Sequence, residues 1–197
     1  MTAFNFMDES WAGPVEGAGE VARGGLRLTD LSRRRRSGIK GPGSPAWLAD
    51  QGLPTPAENN SCVMAEEKLL LARLSPQDIV LLAVGDGGGK NLDNLEACIQ
   101  RDRPAGCYSS PRQDMSAWFR IIGEPASAMM ARFCAVDLRP AHFPDGAIAQ
   151  TSVALQNTIV IRDDQFGGVG FHLLTDFTGA AYLWRTIADH ISADSDT

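Results

Sequence analysis

Apolar residues between positions 61 and 84 fall into three short runs, Ser61 to Ala65, Leu69 to Leu74 and Ile79 to Val84. Runs of this length read as strands, and Ser75-Pro76-Gln77-Asp78 supplies a turn between the last two. Beyond a glycine-rich loop at Gly85 to Gly89 the period changes, and Leu92, Leu95 and Ile99 mark one face of a helix. A second series follows. Trp118 to Ile122 reads as a strand, and Ala126, Met129, Met130, Phe133 and Cys134 follow at the i, i+3, i+4, i+7, i+8 spacing of an amphipathic helix. Ile148 to Leu155, Thr158 to Arg162 and Gly170 to Leu174 are strand-like, with Gln156-Asn157 as a short turn and Asp163 to Gly168 as a longer loop. The last helix begins near Asp176 or Thr178 and carries the stripe Ala180, Leu183, Trp184, Ile187, Ala188 and Ile191.

The two series have the same grammar. Gly41-Pro42-Gly43-Ser44-Pro45-Ala46-Trp47-Leu48-Ala49 follows the apolar approach Ile39-Lys40, as Gly123-Glu124-Pro125-Ala126-Ser127-Ala128-Met129-Met130-Ala131 follows Ile121-Ile122. Ser44 as N-cap, Pro45 at the first helical position and Gly52 as a stop predict a helix, after which Pro54 and Pro56 force extended chain. Each half therefore spells strand, helix, three strands, helix, and repeats of this kind decide the fold. The expected class is α+β, internally duplicated, with a single domain over 26–197 made of a first unit at about 26–103 and a second at about 115–191. Residues 1–25 are rich in Gly, Glu and Ala without a steady period and read as an N-terminal arm. Phe4, Phe6, Met7 and Trp11 leave two readings of it open: a disordered tail, or an anchor on a partner or on the body of the chain.

Composition narrows the functions. The chain has 197 residues, 44% hydrophobic and 21% charged, as expected of a globular protein with a sizeable core. A net charge of −6 argues against general nucleic-acid affinity. Lysine occurs only at Lys40, Lys68 and Lys90, so arginine carries nearly all the positive charge, which codon bias or protein contacts would both explain. The first residues lack the basic and apolar regions of a secretory signal, and no apolar stretch approaches the roughly 20 residues of a membrane helix. Cys62, Cys98, Cys107 and Cys134 show no close pairing, which fits reduced thiols and a cytoplasmic location.

The motif search returns little chemistry. Gly85-Asp86-Gly87-Gly88-Gly89-Lys90 lacks both the spacing of a phosphate loop and the Ser or Thr after its lysine, since Asn91 follows. His142, His172 and His190 stand at no metal-binding spacing, and no cysteines form a C-x-x-C pair. His172 is expected to be half-buried and structural, and His190 to sit in the last turn of a helix. Cys134 belongs to a buried stripe; Cys107, in a loop near Arg103 and Arg112, is the more reactive candidate but has no base beside it. Asp137 and Asp114 are placed to pair with Arg139 and Arg112. No catalytic, cofactor-binding or metal-binding residue is assigned. Arg33, Arg34, Arg35 and Arg36 form the sharpest charge feature, a candidate partner interface or a solvated edge strand, with nucleic acid third.

The stretches Asp30-Leu31-Ser32 and Gly38-Ile39-Lys40-Gly41-Pro42-Gly43 leading into Trp47-Leu48 resemble the start of the gamma subunit of heterotetrameric sarcosine oxidases. Asp114-Met115-Ser116-Ala117-Trp118-Phe119, Cys134-Ala135-Val136-Asp137-Leu138-Arg139-Pro140 and Ala149-Gln150-Thr151-Ser152-Val153-Ala154 are similar to its further stretches, as is His172-Leu173-Leu174 with the Ala181-Tyr182-Leu183-Trp184 helix. The resemblance covers roughly 26–191, and order and spacing carry it, not a catalytic signature. It implies the duplicated α+β fold of the folate-binding part of the glycine-cleavage aminomethyltransferases. It also implies partners, the alpha, beta and delta subunits, which would hold NAD, FAD, FMN, tetrahydrofolate and zinc, with none in this chain. That complex oxidises the N-methyl group of sarcosine and passes the one-carbon unit to tetrahydrofolate. On this resemblance the chain is a structural or assembly subunit, inactive alone. Two alternatives stand beside it: the small subunit of a related enzyme such as N-methylglutamate dehydrogenase, and an independent tetrahydrofolate-binding or one-carbon transfer protein. At about half the length of an aminomethyltransferase, the chain is expected to lack independent folate chemistry.

Overall fold

The computed structural model describes residues 13–193 apart from Gly87. Phe4, Phe6, Met7 and Trp11 lie outside the described residues. The chain order is β1 (Glu20–Arg23), β2 (Leu26–Asp30), β3 (Arg36–Lys40), α1 (Ser44–Asp50), β4 (Ser61–Ala65), β5 (Leu69–Ser75), β6 (Asp78–Ala83) and α2 (Gly88–Asp102). It continues with β7 (Tyr108–Ser109), β8 (Ser116–Ile122), α3 (Ala126–Met130), β9 (Ile148–Val153), β10 (Gln156–Arg162), β11 (Gly170–Asp176) and α4 (Phe177–Ala193).

Period-2 alternation of apolar residues on both faces of these strands stacks the elements into four layers. One antiparallel sheet has the order β1-β2-β8-β11-β10-β9 and the other β4-β5-β6-β3-β7. Leu70, Ala72, Leu74, Val80 and Leu82 of the second sheet meet Trp118, Ile148, Ile161 and Leu174 of the first between the sheets. The alternate residues Leu69, Leu71, Ile79 and Leu81 face outward under Trp47 and Leu48 of α1 and Leu92, Leu95 and Ile99 of α2. Phe119, Ile121, Phe171 and Leu173 do the same under α3 and α4, where Trp184 lies tilted on Phe119 at 5.3 Å between ring centroids. The helices thus cover the outer faces of two antiparallel sheets, in keeping with the α+β expectation.

Within the sheets, β3-β6-β5-β4 and β8-β11-β10-β9 run in the same order. The strand that precedes each set crosses to the other sheet: β2 pairs with β8, and β7 pairs with β3. At the crossings Leu31 donates its N–H to Trp118 O at 2.8 Å, and Ser110 donates to Gly38 O at 2.8 Å. Gly41 and Gly123 close the corresponding strands with φ of 126° and 144°. A Cβ there would lie 2.2 Å from Gly106 O and 2.0 Å from Gly25 O, so each glycine is where a crossing strand runs against the turn.

Several boundaries differ from expectation for local reasons. Residues 20–23, expected within the arm, form β1, because Gly24-Gly25 turns them back onto β2. Ser44 is not the cap of α1; Gly43 takes that place, and the buried Ser44 hydroxyl donates back to Gly41 O at 2.7 Å. The β9–β10 turn is Ala154-Leu155, at φ of 47° and 66°, and Gln156 and Asn157 already pair in the ladder. α3 ends at Met130, and Cys134 instead bridges to Val153.

Candidate functional site

The arginine run is not one exposed patch. Only Arg36 lies in a strand, and β3 sits inside its sheet between β6 and β7. Arg33 is exposed, Arg34 and Arg35 are half-buried, and Arg36 is buried with 1% of its surface accessible. Arg35 pairs with Asp93 at 2.5 Å and Glu96 at 2.8 Å on α2, and Arg34 donates to Val84 O at 3.2 Å. Arg36 donates to the carbonyls of Ser32, Arg34, Arg112, Gln113 and Ser116, which brings both crossing segments onto one guanidinium. Burial pulls its pKa down to about 10, offset in part by the charges of Asp30 and Asp114, so it remains a cation at neutral pH.

A second buried group lies nearby between the sheets. His172 is fully buried, not half-buried, and accepts the Trp118 Nε1–H at Nδ1 over 3.0 Å. That bond fixes the tautomer: Nε2 carries the hydrogen and donates to Asp163 Oδ2 at 3.1 Å. Burial lowers the His172 pKa, and a proton on Nδ1 would also face the donor-only indole N–H. Burial works against the Asp163 carboxylate, yet the His172 hydrogen bond, the Gln165 N–H and the Arg120 charge hold it below the usual carboxylate range. His172 is fully buried, and its two hydrogen bonds fix the Trp118 indole against the Asp163 carboxylate through the imidazole.

A groove of about 880 Å³ opens at one edge of the inter-sheet layer. Val80, Ile159 and Leu174 supply apolar surface, and Gln150, Thr151, Asn157 and Thr175 supply hydrogen-bonding groups from β9, β10 and β11. Arg112 reaches it from the crossing segment, held by Asp78 at 2.7 Å and not by Asp114 as expected. Asp176 at its rim is engaged in capping: the Thr178 hydroxyl and N–H both donate to its carboxylate and lower its pKa. The described lining includes no histidine or cysteine. Such a surface can bind by hydrogen bonds and apolar contact; it offers no nucleophile paired with a base.

No protein-family model matches the chain, and no curated protein matches its sequence. Solved structures do match. A chain of the heterotetrameric sarcosine oxidase from Corynebacterium sp. U-96, in complex with pyrrole 2-carboxylate, superposes with a TM-score of 0.71 at 20% identity, over 90% of each chain. The aminomethyltransferase T of the glycine cleavage system from Bartonella henselae superposes with a TM-score of 0.60 at 19% identity. There the match covers 88% of this chain and 47% of the enzyme. The chain has the fold these two proteins share. The sequence resemblance pointed to the same pair.

Other sequence candidates settle into structural places. Cys107 is buried at 2% accessibility with its Sγ 2.8 Å from Pro42 O, so it is not the reactive thiol expected of a loop cysteine. Burial pushes the Cys62 thiol up to about 12. Asp137 pairs with Arg139 at 2.6 Å as expected. His190 lies edge-on to Phe133, 5.3 Å between ring centroids, in the last turn of α4. Among the described residues no group of three or more His, Cys, Asp or Glu side chains is placed to hold a metal ion. No described helix is long and apolar enough to cross a membrane. The groove residues and Arg120 were missed, because pairing of distant strands assembles them. The one available signal was a charged or ring-nitrogen residue inside an apolar strand: Arg120 in Trp118-Phe119-Arg120-Ile121, and His172 in Phe171-His172-Leu173.

Proposed function

We propose that the chain is a structural, non-catalytic subunit of a sarcosine oxidase-type complex, the counterpart of its gamma subunit. The observation that supports this most is the superposition on a sarcosine oxidase chain over 90% of both chains, so the likeness extends to size as well as topology. The engaged buried polar groups agree with it: Arg36 of one sheet is committed to Ser116 of the other, and His172 and Asp163 are committed to each other and to Trp118 within the six-stranded sheet. In this reading the partners are alpha, beta and delta subunits, in which FAD, FMN, NAD, tetrahydrofolate and zinc reside, and the assembly is cytoplasmic. The complex would demethylate sarcosine oxidatively and pass the one-carbon unit to tetrahydrofolate. Substrate choice would belong to the FAD-bearing partner, so a related N-methylglutamate dehydrogenase is the same proposal with a different donor.

Co-expression with the candidate large subunits tests it. The expected outcome is a stable complex whose activity is lost or unstable when this chain is omitted; a fully active complex without it would overturn the reading. The aminomethyltransferase likeness supports a competing reading, independent tetrahydrofolate binding or one-carbon transfer. Titration of the purified chain with reduced folate, against free glutamate as the carboxylate control, separates the two, since folate binding that exceeds glutamate binding is expected only under the competing reading.

A further inference from the structure

The six-stranded sheet has one strand more than its neighbour, and β1 and β2 lie at one end of it. Register fixes which side chains occupy that end. Arg27 pairs with Ile122 and Thr29 with Arg120 across β2 and β8, so Arg27 and Arg120 are diagonal neighbours on one face. Together with Ala22, Ile122, Gly123 and Phe166 they line a cavity of about 590 Å³.

Arg120 is the unusual member. Its guanidinium lies over the Phe166 ring, 4.6 Å from the centroid, an arrangement that leaves in-plane N–H donors free. Its Nε is buried and has no hydrogen-bond partner among the described residues. Leaving a buried charged donor unmet is costly, so such a group points to an acceptor supplied from outside the chain. The charges around it favour an anion. Burial first, and then the positive charges of Arg34 and Arg27, lower the Arg120 pKa, against the opposing charges of Asp163 and Glu20. The opposing carboxylates are weakly placed or engaged. Glu20 stands 3.7 Å from Arg27 with both side chains about half exposed, and Asp163 is held by His172. Arg23, also at the cavity, is used elsewhere, donating to Ser192 O at the end of α4.

We propose that this cavity is an oxyanion-binding site, in which Arg120 and Arg27 grip a carboxylate or phosphate group of a small ligand against the apolar wall of Ile122 and Phe166. Two guanidiniums on one sheet face match the paired oxygens of such groups. Calorimetric titration of the full chain at constant ionic strength, with inorganic phosphate in one arm and succinate in the other, tests it. Saturable binding of at least one anion is expected, and the stronger arm identifies the group. Arg120→Gln should weaken it at least ~10-fold, the loss of a charge-assisted hydrogen bond. Arg27→Gln, at an exposed position, should weaken it by roughly threefold and carries the test if the first variant does not fold. No saturable binding of either anion, or equal binding by wild type and folded variants, would overturn the proposal.

Discussion

Arg36 is charged and buried at once, and its five carbonyl acceptors explain how. Removing a buried cation that holds so many acceptors leaves them unpaired, which costs about 3–5 kcal/mol. Arg36→Met should therefore lower the urea midpoint sharply, and Arg36→Lys should not restore it, because three donors at one point cannot reach acceptors spread around a planar fork. An Arg36→Lys protein as stable as wild type would refute this. His172 gives a pH test. Its folded pKa lies below the ordinary 6.5, so below that pH the unfolded chain takes up a proton that the folded chain refuses. Stability is then fully present above pH 6.5 and falls as the pH drops, with the Asp163 contribution lost later, below the ordinary 3.8. Between pH 7.5 and 5.5 the wild type should lose about 1 kcal/mol through His172. His172→Gln can still accept from Trp118 and donate to Asp163, and it should remove most of that slope; equal slopes in both proteins would refute the assignment.

At the scale of elements, legibility followed the range of the interactions. β4 was read with its observed ends, and β5, β6, β10 and β11 to within two residues, because turns and apolar alternation are local signals. β1 and β7 were missed because they are short and their order comes from partners, Leu26–Thr29 for β1 and Ile39-Lys40 for β7. The burial of Arg36 was illegible for the same reason: four like charges signal solvent locally, while the segment that buries Arg36 comes from residues 112–116. Of the two candidate pockets nothing was legible beyond the odd polar residue in an apolar strand. Gly41 and Gly123 mark where local and long-range demands coincide. Alanine at either would combine a positive φ with backbone contacts of 2.2 and 2.0 Å, so each substitution should cost about 2–4 kcal/mol. Gly52 is the control, since its φ of 78° is positive but its Cβ position is open, and Gly52→Ala should cost only about 1 kcal/mol. Thermal unfolding of the three variants reads the difference, and three equal losses would show that the crossing strands do not press on the turns.

For the whole molecule the decisive feature is the exchange of lead-in strands between the sheets. Two units that merely stacked could separate and remain folded. Here β2 completes the sheet of the second unit and β7 that of the first, so neither set of strands closes without chain from the other. The strands run in the shared order β3-β6-β5-β4 and β8-β11-β10-β9, and the exchange binds the two sheets into one cooperative body. The inter-sheet layer adds to this: Trp118, buried completely, packs with Leu70, Val80 and Leu82 of the opposite sheet. A single unfolding transition is therefore expected, with residues 1–103 and 104–197 each unable to fold when produced alone. Mixed, the two pieces should regain native circular dichroism and a shared melting transition, because each supplies the strand the other lacks. A cooperative transition in either isolated piece would mean that the exchanged strands decorate two finished domains instead of joining them.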